Sequence, residues 1–237
     1  CISVGFSSMP DAATAISKIF TAGFLPSALE LADAFTLEAT WKRTGSKVFK
    51  DSKAHLILEM DGQEESVRVE ISKIEKIIRT LKCRSIEIAH GAKKCEGIWN
   101  VRREFSYALK DTGLKKLNHD IVIPRGRLVD FFVFTDQLQK RFGIPVACFG
   151  HAGDGNIHTN VMVDEKKPEH LASGHVMTDL IFKQVLEWGG KITGEHGIGL
   201  AKLPWWNKGT SKEERELHSL IKKALDPHGI MNPGKFV

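Results

Sequence analysis

Across 237 residues the chain has four cysteines, one tyrosine and a formal net charge of only +5, and each shortage closes off a class of protein. Cys1, Cys83, Cys95 and Cys148 are widely spaced, with no C-x-x-C pair. Neither a structural zinc cage nor a disulfide framework is expected; reduced, buried thiols of a cytoplasmic-type compartment fit better, with membrane contact only through partner subunits. One tyrosine beside 13 phenylalanines gives little for a base-stacking platform. Lysine and arginine are interspersed with acidic residues and form no basic stripe, which argues against a nucleic-acid partner. No stretch reaches the roughly eighteen apolar residues of a membrane span, and Cys1-Ile2-Ser3-Val4-Gly5 lacks both the basic region and the apolar length of a signal peptide. Without an initiator methionine, the sequence reads as a fragment or a processed chain.

The sequence does have ample apolar content for a core, at 42%. Period-two runs predict strands over 2–7, 28–31, 54–60 and 85–89, and helical periodicity predicts helices over 11–22, 33–42 and 64–81. A long helix over 92–110 leads to a second half, with strands over 120–123, 145–150 and 157–163 and helices over 126–141 and 168–188. A last helix over 212–225 is stopped by Asp226-Pro227-His228-Gly229, before a turn at Asn232-Pro233-Gly234-Lys235. The order β-α-β-β-α-β, begun again in the second half, predicts an α+β fold. It would consist of two tandem ferredoxin-like units sharing an antiparallel sheet, with helices packed on one face.

Two glycine-rich clusters carry the chemistry. Gly153-Asp154-Gly155 between two strand patterns is a hairpin signal, with Asp154 as a turn former. It folds His151 and His158 toward each other, and alternation puts His158 and Asn160 on one strand face. Further on, Glu195-His196 sits among glycines 194, 197 and 199, on backbone free to aim both side chains into one cleft. Two imidazoles and a carboxylate with an open position make a ligand set for catalytic zinc, and non-haem iron uses similar groups. A carboxylate suits the ion and an imidazole suits proton transfer near neutral pH. Spacing alone does not decide which of Glu195 and His196 is ligand and which is base. The plainer alternatives are hairpin histidines satisfied by backbone carbonyls and a glycine turn bearing a surface ion pair. Arg102 and Ser106, four apart on the long helix, share a face; if it lines the cleft, Arg102 is a fork for a substrate carboxylate. Trp205-Trp206 reads as core.

Five ordered motifs resemble the C-terminal domain of FAD-linked oxidases, in the group of D-lactate dehydrogenase, the glycolate oxidase flavin subunit and D-2-hydroxyglutarate dehydrogenase. They are Gly150 to His158, Gly194 to Gly199 with Lys202, Trp99 to Arg103, Asp120 to Pro124, and Asp226 to Lys235; Pro26 to Leu31 is similar to an early strand of the family. The resemblance covers nearly the whole chain, so residues 1–237 would be the cap, or substrate-side, domain. It implies an FAD-binding domain or subunit lying outside this sequence. It further implies His151, His158 and Glu195 as metal ligands (zinc ahead of iron or manganese), His196 as catalytic base, and Arg102, Ser106 and Asn160 at the substrate. Asn232 and Lys235 would run beside the flavin. At Asn118 the dicarboxylate-specific relatives carry a lysine, which turns the expectation toward D-lactate or glycolate. A metal-dependent hydrolase and a non-catalytic ferredoxin-like binding module are the rival readings, and apolar surface left uncovered by a missing flavin domain would favour self-association.

Overall fold

The computed structural model describes residues 1–46 and 51–235. The first unit runs β1 (Ile2–Phe6), α1 (Met9–Thr21), β2 (Ala28–Asp33), α2 (Ala34–Thr44), β3 (Ala54–Glu59), α3 (Glu64–Arg79) and β4 (Cys83–Ile88). After α4 (Ala92–Arg103) and α5 (Phe105–Asp111) comes the second, with β5 (Lys115–Val122), α6 (Leu128–Phe142), β6 (Val146–His151), β7 (Asn156–Val163) and α7 (Pro168–Glu187). Helices α8 (Leu203–Gly209) and α9 (Lys212–Leu225) follow. The boundaries obey local chemistry. Ser8 caps α1 through the Asp11 amide, Gly45 and Gly143 close α2 and α6 in the left-handed region, and Ser211 and Glu214 form a reciprocal cap on α9.

All the strands join one antiparallel sheet in the order β4-β1-β3-β2-β6-β7-β5. Its first four strands have the ferredoxin-like arrangement, and β5, β7 and β6 repeat three strands of it, joined edge to edge through β2 and β6. The position of a fourth strand beside β5 holds a single bridge, Val122 to Lys191. Gly190 makes that approach feasible, since a Cβ there would lie 2.3 Å from the Val122 carbonyl oxygen.

Helices cover both faces, where the sequence placed them on one. Ile2, Val4, Phe6, Leu56, Ile121, Ile157 and Val161 point to the face packed by α1, α3, α6 and α7. The opposite face also carries apolar side chains, Ala32, Ala147, Phe149 and Met162, which α2 and α5 bury through Leu37, Phe105 and Leu109. Helix α4 covers Ile57 with Ile98. The helix expected over 92–110 therefore breaks at Glu104, which ends α4 and begins α5, because its two parts serve separate apolar clusters. The short helix α8 was not foreseen; its Trp206 is buried, as expected. The four cysteines are free thiols, and among the described residues no helix is long and apolar enough to cross a membrane.

The turn between β6 and β7 is closed by the Gly155 amide donating to the His151 carbonyl at 3.0 Å, with the Asp154 carboxylate accepting from the Asn156 amide at 3.0 Å. Gly155 has φ +84° and lies so close to β5 that an added Cβ would sit 2.0 Å from the Ile123 carbonyl oxygen. Gly155→Ala is expected to destabilise the chain by at least about 2 kcal/mol, read as a lower urea midpoint at unchanged slope; an unchanged midpoint would contradict the tight hairpin.

Candidate metal and proton-transfer site

The hairpin and the loop after α7 meet on the face that α2, α4 and α5 only partly cover. Ligand atoms of His151, His158 and Glu195 all lie within 4.8 Å of one another, and His158 Nε2 is 3.3 Å from a Glu195 carboxylate oxygen. The His196 ring stacks on His158 with centroids 5.2 Å apart, its Nε2 3.8 Å from Glu195. Four residues read from two glycine clusters thus share one cleft.

Two buried acids, neither given a role from sequence, hold this arrangement. Glu30 on β2 accepts a short hydrogen bond from His151 Nδ1 and another from Arg102 Nε at 2.6 Å. Burial opposes its ionisation, but His151 and Arg102 outweigh that and keep Glu30 below the usual carboxylate range. In return the Glu30 bond raises His151, while burial lowers His158 and favours its neutral form. With Nδ1 committed to Glu30, His151 has Nε2 for an ion, the carboxylate-histidine pairing typical of metal sites.

The second acid is Asp120, fully buried on β5 and paired in register with His158. One of its oxygens accepts the backbone amides of Gly194, Glu195 and His196 at 2.7, 2.6 and 3.0 Å. The other takes a short bond from the buried Lys202 ammonium and lies 3.5 Å from His196 Nδ1. Burial again disfavours the charge, yet the bonds from Lys202, His196 and Glu195 hold the Asp120 carboxyl far below the usual range. An acid among the isoleucines of a strand pattern was the available signal for Asp120, and its place in Pro26 to Leu31 was the signal for Glu30; their partners are distant in sequence.

The remaining expected residues are less gathered. Arg102 lies behind His151, its guanidinium over Phe149 and Phe105 at 5.0 and 5.3 Å. Ser106, past the Glu104 break, accepts from Lys116 Nζ at 3.0 Å. Asn160 shares the strand face of His158, but its amide is buried and donates to the Ala147 carbonyl at 3.1 Å. Asn232 and Lys235 line a groove on α9 with His218, Ile221 and Leu225, apart from the histidine cluster.

A family model for the C-terminal domain of FAD linked oxidases matches residues 1–236. The chain belongs to this family. It is 30% identical over 230 residues to the glycolate oxidase subunit GlcD of Bacillus subtilis, covering 97% of this chain and 49% of that protein. It is 28% identical over 237 residues to a D-lactate dehydrogenase of Archaeoglobus fulgidus, covering 100% of this chain and 51% of the relative. The chain thus spans about half the length of these curated relatives. In fold it is similar to p-cresol methylhydroxylase, with TM-score 0.69 at 14% identity over 99% of this chain and 52% of that one. The 4-ethylphenol oxidase of Gulosibacter chungangensis gives TM-score 0.66 at 17% identity, over 99% and 53%.

Because the folded pKa of Asp120 is depressed, its stabilisation is complete above the unfolded-state value of about 3.9 and fades as pH falls below it. Asp120→Asn is expected to cost about 3 kcal/mol at pH 7, leaving Lys202 buried without its counter-charge, and to flatten the acid limb of stability against pH. Urea titrations from pH 7 to 3 check both; matching wild-type and variant curves would refute the anchoring role.

Proposed function

We propose that this chain is the substrate-side half of an FAD-dependent dehydrogenase that oxidises a D-2-hydroxy acid, D-lactate or glycolate, to the 2-oxo acid. The observation that carries this reading is the convergence of His151, His158, Glu195 and His196 in a member of the FAD linked oxidase C-terminal family. Relatives about twice as long support an FAD-binding half outside these residues. Helix α9 supports a covering partner as well, since none of its residues is buried and Leu217, Leu220, Ile221 and Leu225 are exposed. Asn232 and Lys235, beside this helix, are proposed for the flavin side.

The donor set fits a divalent ion. His151 and His158 offer imidazoles and Glu195 a carboxylate, a ligand set of catalytic zinc, the ion we put first, that iron or manganese also accepts. When bound, FAD supplies the hydride acceptor and the ion a Lewis acid for the hydroxyl oxygen. The chain's residues do the rest. Asp120 faces His196 Nδ1, which leaves Nε2 as the basic nitrogen that takes the α-hydroxyl proton. Arg102 commits Nε to Glu30, and its terminal nitrogens, which donate no side-chain hydrogen bond among the described residues, remain for the substrate carboxylate. Phe149 and Phe105 restrict its swing. Asn160 is buried and committed to the Ala147 carbonyl, so of the two further residues expected at the substrate Ser106 is the one we keep for it.

The test is turnover of D-lactate and glycolate by the full-length protein with an artificial electron acceptor. His196→Asn is expected to lower kcat on the order of 10²-fold with little change in KM. His158→Ala should lose metal first and activity with it; equal, mild effects from both would overturn the assignment. Arg102→Lys should weaken 2-hydroxy acids selectively. The 237-residue chain alone should take up about one zinc, iron or manganese, more tightly as rising pH removes the proton from His151, and should not bind FAD. Tight stoichiometric FAD binding by this chain would contradict the half-site reading.

A further inference from the structure

The histidine cluster has a neighbour, within the Gly150 to His158 motif, to which the reaction gives no work. Asn156 opens β7, paired in register with His151 on β6 and with Val122 on β5. Strand alternation puts its side chain on the face of His158, two residues on. It is 6% exposed. Neither its amide nitrogen nor its amide oxygen has a hydrogen-bond partner among the described residues. Leaving such a group unsatisfied opposes folding, so an amide kept here calls for a compensating role.

Its direction indicates that role. A Cβ added to Gly194 would sit 1.5 Å from Asn156 Nδ2 and 2.6 Å from Cγ. The amide therefore fills the space that glycine leaves, against the peptide leading into Glu195. Gly194 is absent from the positive-φ glycines; what requires a glycine here is Asn156. The amide thus lies against the arm carrying Glu195 while its own backbone pairs with His151, the two sides an ion would bridge.

We propose that Asn156 is a positioning residue of the ion site: its amide fixes the Gly194–Glu195 arm against the hairpin so that Glu195 reaches an ion held by His151 and His158. This rests on the metal reading above. Outer partners that hydrogen-bond to ligands affect metal affinity about 10- to 100-fold when removed; Asn156 acts on the ligand arm by contact alone, which sets the expectation at the lower end of that range.

The test uses the purified chain, zinc or manganese alone as the probe, calorimetric titration for affinity and thermal melting for stability. Asn156→Ala is expected to melt no lower than wild type without metal, because an unsatisfied amide is gone, yet to bind either ion about 10-fold or more weakly. The rise in Tm on adding metal should shrink accordingly. Gly194→Ala should weaken binding by a similar factor, and adding it to Asn156→Ala should cost little more, since the two side chains compete for one space. A merely structural Asn156 would give the reverse, a lower metal-free Tm or loss of folding with affinity unchanged, and would overturn the proposal. If the wild-type chain takes up no ion, the metal reading falls and this proposal with it; wild-type uptake matched by Asn156→Ala sinks the proposal alone.

Discussion

The site depends on one buried charge. Asp120 stands on a strand, out of contact with solvent, where a carboxylate survives only if its lone pairs are filled. Three consecutive amides, Gly194 to His196, and the Lys202 ammonium fill them. The demand is mutual, since those amides belong to a loop with few regular hydrogen bonds of its own, so the carboxylate acts for it as a sheet edge would. The chain after α7 is thereby drawn over the end of β5, and Glu195 and His196 reach the hairpin because their own amides are held there.

Glu30 does the same on the other side with different chemistry. It joins an imidazole to a guanidinium, tying His151 to Arg102. Two of the three clustered histidines therefore have a carboxylate at Nδ1, Glu30 behind His151 and Asp120 beside His196. His158 has none and instead lies between the rings of Phe149 and His196, at 5.2 Å from each. The consequences diverge. Pairing pushes the His151 pKa up, and burial pushes that of His158 down. Neighbouring imidazoles on one sheet face are thus tuned in opposite directions by what lies behind them.

Much of this was legible in the sequence, for reasons that are local. Alternating apolar residues gave the strands of the first unit, and the glycines around Asp154 gave the hairpin that joins His151 to His158. What escaped notice depends on contacts remote in the chain. Strand β5 begins at Lys115, five residues before the strand read from its apolar end, because Lys115, Lys116 and Asn118 are polar and leave Leu117 as a lone apolar residue; pairing with β7 holds the segment in place. The break at Glu104 follows from two apolar clusters that no local pattern announces. Glu30 and Asp120 gain their roles only because the sheet order brings Arg102, 72 residues away, and Lys202, 82 residues away, to their sides. Ser106 was placed beside Arg102 by helical periodicity and at the substrate by the family resemblance; it lies past the break and accepts from Lys116.

The two units differ most beside the histidine cluster. In the first, β4 completes the ferredoxin-like order by pairing along β1. In the second, the corresponding segment makes the Val122–Lys191 bridge and then leaves the sheet. A fourth strand there would satisfy its backbone by pairing with β5 and would hold its side chains in fixed alternation, with no two neighbours on one face. The loop gives up that pairing and gains adjacent residues, Glu195 and His196, aimed at the same histidine. Asp120 offsets the lost strand hydrogen bonds by accepting three of the freed amides itself. The carboxylate within an apolar strand thus permits a loop that brings Glu195 and His196 to the hairpin where the repeat would have put a fourth strand.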